Sequence, residues 1–321
     1  MSTAIVNPQP SWIISRRDDL LFFIGSALFG YALIAWATVR PGIPILFLVV
    51  FGFLIDSPHV FSTLTRSLFD GVERNRLRTI WLIGFPLCLA VIAMLAIMAG
   101  RVGAFIVITS VSHYHVSKQH MGFVMMYKRK AREKDDYKLD KYFSLSSLML
   151  PLAYYYSALF DLKIPLSWFL SIGVILAIYY ACHQLRKPSV NVPKLLLLAA
   201  FIPLQWFAWN YRAAEPLDLP RLVAAGVALN VGHSLQYLRL MYFHNHNRYS
   251  ARQGFLGLIS RKPIFFVGAA VVLALPGIFS AKTQSFYLSV FVIGMLFFHF
   301  IVDSRIWRVR GDQELAAALR L

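Results

Sequence analysis

The sequence predicts an all-α protein, a polytopic bundle of about ten transmembrane helices with both termini cytoplasmic. Three observations carry that expectation. The 321 residues are 58% hydrophobic, with a mean hydropathy of +0.59 and only 15% charged, too apolar for a water-soluble domain. Apolar stretches of roughly 20 residues, the length that crosses a bilayer core, recur from end to end. The basic residues gather on alternate connections, the asymmetry that orients membrane helices.

Taken in order, segment one (20–39) follows Arg16 and Arg17, a basic flank that keeps the N-terminus inside. Ser15-Arg16-Arg17 resembles a twin-arginine export signal, but the run after it is long enough to span and has no small-residue cleavage site. Segment two (43–67) carries Asp56, Pro58 and His59, with Arg66 and, just beyond, Asp70 read as interfacial anchors. Segment three is 79–99, and segment four (102–127) has the polar core TSVSHYHVSKQH from Thr109 to His120. Segments five (142–160), six (165–185) and seven (194–211) are followed by eight (220–243), which contains NVGHSLQY. Segments nine (263–280) and ten (284–307) close the bundle, the last ending HFIVDSRIWR.

Pro86, Pro151, Pro203 and Pro276 fall inside apolar segments and predict kinks rather than helix ends. Tyr154, Tyr155, Tyr156, Trp168, Trp206 and Trp209 lie near segment ends, where aromatic belts form. Lys128 to Tyr142 reads as a mixed-charge loop. The stretch from His244 to Lys262 reads as an inner loop able to form a short amphipathic surface helix through Phe255, Leu256, Leu258 and Ile259. Cys88 and Cys182, in different segments, are expected to be small packing residues, with neither a disulfide nor a thiolate metal site.

The formal charge of +17 raises the question of nucleic acid. Its distribution answers it: with the N-terminus inside, 25 of the 32 Lys and Arg residues lie on the inner side, six on the outer, and Lys118 within segment four. Membrane orientation accounts for this without a polyanion, and a basic inner surface suits anionic lipid headgroups. The expectation is one integral-membrane domain, 1–321, in a bacterial inner membrane, with lipids as partners and no nucleic acid.

The nine histidines sharpen this. His59, His113, His115, His120, His183, His233 and His299 fall late in even-numbered segments, and His244 and His246 follow the eighth. Even helices all run inward, so one layer in the inner half can collect side chains from helices two, four, eight and ten. Ionisable groups there are costly and mark functional sites. At 100° per residue His113 and His120 are about 20° apart on one face, whereas His115 points about 160° from His113. Asp56 and His59, three apart, sit on neighbouring faces, and His299 and Asp303 share one at i,i+4. Tyr237 lies near the His233 face. His183, His244 and His246 read as boundary residues, the last two in a solvated loop. The expected ligand set is His59, His113, His120, His233, His299 and Asp303, supported by Asp56, His115 and Tyr237.

Imidazole with carboxylate suits iron, one or two ions, or another transition metal. Held with open positions in an apolar cavity, iron would act on a lipophilic, lipid-like or terpenoid substrate entering from the bilayer, with an electron-donor protein as partner. This makes a non-haem iron oxygenase the leading expectation. A proton- or ion-coupled transporter using the same residues as a relay is the alternative. The Pro58-His59 pair in DSPHVFSTLTRSLFD, with isolated histidines on several helices, resembles the integral-membrane iron oxygenases, and within them the bacterial Brp/Blh carotene dioxygenase group. That resemblance implies that His59 is a metal ligand.

Overall fold

The computed structural model of the protein describes residues 11–40, 45–283 and 285–321. The start of the second apolar segment and the side chains of Arg101, Pro276 and Lys282 lie outside the described residues. Among the described residues there are helices and no strands.

Among the described residues each apolar segment is helical. In chain order the α-helices are α1 (Arg16–Asp18), α2 (Ala27–Val39), α3 (Ile45–Phe51), α4 (Ser57–Ser67) and α5 (Gly71–Arg76). They continue with α6 (Phe85–Met98), α7 (Gly100–Lys130), α8 (Tyr137–Leu159), α9 (Leu166–Leu185) and α10 (Val192–Ala213). The rest are α11 (Leu219–Tyr249), α12 (Gly254–Arg261), α13 (Pro263–Thr283), α14 (Phe286–Ile306) and α15 (Gln313–Ala318). Side chains close several N-termini: Ser15 accepts from the Asp18 amide, Asn191 from Lys194, Ser285 from Leu288 and Asp312 from Leu315.

Three spans contain a π-helical turn, at Asp19–Ile24, Gly52–Asp56 and Ile80–Gly84. The second and third end two residues before Pro58 and Pro86. A proline removes one ladder donor and crowds the carbonyl four residues back, here Leu54 or Leu82, and the wider turn makes room for its ring. Pro151 and Pro203 stay inside unbroken α8 and α10.

Among the described residues, six helical stretches are long and apolar enough to cross a membrane: Arg16–Val39, Phe47–Ser67, Ile80–Met98, Leu166–Leu185, Val192–Ala213 and Phe286–Ile306. A seventh arises if α12 and the start of α13, bent by 120°, count as one span. Helices α7, α8 and α11 are long enough but are not among these spans, and the first and last carry the histidine-rich stretches. The surface is that of a membrane protein: Leu87, Met94 and Ile97 on α6, and Trp168, Ile175 and Tyr179 on α9, are exposed. Cys88 is buried as expected, whereas Cys182 is exposed.

The chain divides into two compact units. Unit 1 comprises Met1–Ile43, His113–His233 and Leu321, and unit 2 comprises Pro44–Ser112 and Ser234–Arg320. Helices α7 and α11 contribute residues to both units.

Unit 1 packs Leu148, Leu152 and Tyr155 of α8, Leu197, Phe201 and Leu204 of α10, and Phe23 edge-on to Phe123. Tyr155 and Trp209, expected in an interfacial belt, are instead fully buried, with the Arg212 guanidinium over both rings. The stretch expected as a mixed-charge loop is largely an ion cluster. Lys194 Nζ donates to both Glu133 oxygens at 2.9 and 3.1 Å and to Asp140 at 3.2 Å, while Lys128 pairs with Asp140 and Lys187 with Glu133. Burial alone would raise the Glu133 carboxyl, but hydrogen bonds from Lys187 and Lys194 outweigh it and hold the group at about 2.

Unit 2 has its core where Val60, Phe61 and Leu64 of α4 meet Phe266 of α13 and Phe298, Val302 and Ile306 of α14. Arg66 and Asp70 are not interfacial anchors: both are fully buried. Arg66 donates to Glu73 at 3.2 Å and lies over the Trp307 ring, and Asp70 accepts from Tyr249 at 2.7 Å. His244, expected in a solvated loop, is buried on α11 against Trp307, and His246 Nδ1 meets the Ser260 carbonyl at 3.0 Å. The amphipathic helix in that stretch exists as α12. It turns Leu256 and Ile259 onto Tyr249 and leaves Phe255 and Leu258 exposed.

Candidate metal centre

Three helices of unit 2 bring His59 (α4), Tyr237 (α11), and His299 and Asp303 (α14) together. The ring centroids of His59 and His299 are 4.7 Å apart, and Tyr237 lies 5.1 Å from the first and 5.2 Å from the second, all edge-on. A ring nitrogen of His59 lies within 4.8 Å of one of His299. All four residues are buried, with Asp303 the most accessible at 7%.

Each ring has a hydroxyl on its Nδ1. Ser234 Oγ donates to Asp56 Oδ1 at 3.2 Å, so its contact with His59 Nδ1 at 3.3 Å takes a proton from the imidazole. His59 therefore carries its hydrogen on Nδ1 and its lone pair on Nε2. The Asp56 carboxylate is 3.9 Å from Nδ1, and Ser234 Oγ contacts both groups.

His299 is set the same way by a longer chain. Tyr237 donates its single proton to Asp303 Oδ1 at 2.7 Å. Thr63 Oγ1 lies 2.7 Å from the Tyr237 hydroxyl and 2.7 Å from His299 Nδ1. With Asp303 as a carboxylate one order of protons satisfies all three contacts: Nδ1–H of His299 to Thr63, Thr63 to Tyr237, and Tyr237 to Asp303. The His299 lone pair then also falls on Nε2.

That atom faces Asp303 Oδ2 at 3.5 Å. The i,i+4 spacing on α14 thus brings an imidazole nitrogen and a carboxylate oxygen close enough to face one ion. Hydroxyl and carboxylate partners on Nδ1 are the usual outer support of a metal-bound imidazole.

The other histidines expected as ligands occupy unit 1. His113 Nε2 meets the Leu148 carbonyl at 2.8 Å, and its ring stands 5.1 Å from Trp209. His120 Nδ1 meets the Val116 carbonyl at 2.9 Å with its ring on Phe201. His115 and His233 are an edge-on pair at 5.2 Å, and Gln119 donates to the His233 carbonyl at 3.0 Å. His183 is partly exposed, 3.6 Å from Asp136.

Two groups escaped the sequence reading. Thr63 stands four residues after His59, the spacing that places it on the same helical face, and Ser234 directly follows His233. The position of a partner more than 170 residues away is what gives each its role. No family model, curated protein or solved structure matches the chain.

Proposed function

We propose that this protein is a membrane-embedded, metal-dependent oxygenase acting on a lipophilic substrate, with His59, His299 and Asp303 of unit 2 holding a non-haem iron. The observation that carries this reading is the meeting of His59, His299 and Asp303 in one buried cluster, with the Ser234 and Thr63 hydroxyls on the two Nδ1 atoms and His299 Nε2 3.5 Å from Asp303 Oδ2. Two imidazoles and one carboxylate, with positions left open, are the ligands of choice for oxygen-activating ferrous iron.

When bound, the iron would supply the oxygen and redox chemistry. The chain's part is to orient the donors, keep bulk water out through the surrounding apolar side chains, and hold a proton on the Tyr237 hydroxyl beside the carboxylate. The substrate would be lipid-like or terpenoid and arrive through the bilayer, and the electrons would come from a donor protein. The reading includes ten membrane crossings, cytoplasmic termini and a bacterial inner membrane, supported by the basic excess on alternate connections.

Anaerobic loading of the purified, detergent-solubilised protein with ferrous iron tests this. About one tightly held iron per chain is expected, lost in H299A and D303A, with oxygen consumed when a reductant and a lipid extract are supplied. Wild-type protein that retains no metal would overturn the reading. The second reading, a proton-coupled transporter, draws on the same hydroxyls as proton carriers. Ion flux in proteoliposomes that needs no metal and is abolished by D303N would select it.

A further inference from the structure

Unit 1 contains a second polar feature, unrelated to the proposed iron ligands. Helices α7 and α10 run antiparallel in register, since His113 meets Trp209 at one end and His120 meets Phe201 at the other. Ser117 lies four residues along α7 from His113, and Gln205 lies four residues along α10 from Trp209. The two therefore stand at the same level, about 6 Å from the His113–Trp209 contact. Ser147 on α8 adjoins Leu148, whose carbonyl meets His113 Nε2 at 2.8 Å. At the opposite end, a Cβ placed on Gly232 would sit 2.7 Å from the Phe201 ring and 3.4 Å from Ser26 Oγ, which puts Ser26 beside the His120 level.

Ser26, Ser117, His120, Ser147, Gln205 and Trp209 are at least nine-tenths buried, at 0 to 4% exposure. Among the described residues, the three serine hydroxyls, His120 Nε2, both amide atoms of Gln205 and the Trp209 indole N–H have no protein partner. Buried polar atoms are nearly always hydrogen-bonded, to protein or to ordered water. The His120 ring gives its Nδ1–H to the Val116 carbonyl, so its Nε2 is an acceptor. The indole only donates, while the serines and the amide do both. A neutral, compact molecule that donates and accepts at once matches this set.

We infer that unit 1 holds a file of ordered water molecules along α7 and α10, bonded by Ser117, His120, Gln205 and Trp209, as a built hydration site inside apolar helices. Each water needs two to four polar partners, and this column offers them in succession along the helix axes. A larger organic ligand fits less well, because the rings of Trp209 and Phe201 already pack on the two histidines.

X-ray hydroxyl-radical footprinting of the full-length protein tests the inference without any metal. The radicals form from bound water in place, so a buried side chain is oxidised only where water lies beside it. After correction for intrinsic reactivity, Trp209 and His120 are expected to be oxidised several-fold faster than the buried Phe266 and Phe298 of the apolar unit 2 core. In Q205L that oxidation is expected to fall several-fold while the melting temperature stays level or drops. Oxidation of Trp209 and His120 no faster than the core phenylalanines would overturn the inference. So would a higher melting temperature in Q205L with labelling unchanged, because burying Leu in place of an unhydrated amide stabilises a fold. Should Q205L not fold, the smaller change S117A supplies the same two readouts.

Discussion

Thr63→Val removes a single hydroxyl from the chain that orients His299 and leaves the shape of α4 almost unaltered, since both side chains are β-branched. The hydroxyl contacts His299 Nδ1 and the Tyr237 hydroxyl, each at 2.7 Å, with Asp303 Oδ1 at 3.4 Å. In the variant the Nδ1–H faces two methyl groups in a buried site, and leaving one such donor unsatisfied costs about 1–3 kcal/mol. The ring can recover part of that cost by moving its proton to Nε2, which places a hydrogen where the metal would bind. Loss of an outer hydrogen bond of this kind weakens metal affinity about 10- to 100-fold, equal to about 1.4–2.7 kcal/mol and within the range set by the lost donor alone. Competition against a chelator of known affinity, with ferrous or cobaltous ion, measures it. T63S restores the hydroxyl and is expected to bind within about threefold of wild type, a difference under 1 kcal/mol. If T63V held metal as tightly as wild type while H299A did not, the hydroxyl chain would have no part in setting the ring.

Three further outcomes concern the scaffold. The Glu133 carboxyl lies below its ordinary 4.5, at about 2, so its contribution is fully present above pH 4.5 and is lost as pH falls towards 2. The full shift would correspond to about 3.4 kcal/mol, which partial solvent access reduces to about 1–2 kcal/mol. Denaturation in detergent at pH 5 and pH 2.5 should show that loss in wild type and a smaller one in E133Q. Gly30→Ala puts a Cβ 2.5 Å from the Ala228 carbonyl oxygen and 2.8 Å from Leu204, and should cost about 1–3 kcal/mol as the helices move apart, read as a lower melting temperature. Arg66→Met strips Glu73, 3% exposed, of its 3.2 Å partner. A loss of about 3 kcal/mol is expected, with R66M/E73Q recovering much of it, and equal stability of R66M and wild type would count against a structural role for the pair.

What the sequence made legible followed from periodicity and local spacing. Among the described residues every apolar segment is helical, and the i,i+4 pair His299–Asp303 meets as the helical repeat requires. Asp56 stands near His59, and Tyr237 bonds Asp303. What stayed hidden depends on partners distant in the chain. Arg66 and Asp70 stand at the end of a span and carry charge, which is how interfacial anchors read, and partners such as Glu73, Asp312, Tyr249 and Arg248 accompany their burial. Tyr155 and Trp209 have belt composition but enclose Arg212 instead. A sevenfold spacing put His113 and His120 on one face correctly, yet their ring partners are the aromatic residues of α10.

The π turn at Gly52–Asp56 gives the helix that carries His59 one residue more than an unbroken α-helix of the same length would hold. Deleting one residue there, such as Leu54, would convert the turn to ordinary α-helix. Because the wide turn already absorbs the extra residue, the apolar stretch before it would keep its orientation relative to His59, Thr63 and Arg66, whereas the same deletion in an α-helical turn would rotate it by about 100°. The turn is therefore a place where this helix can lose a residue without re-aiming either its apolar stretch or the donors that follow.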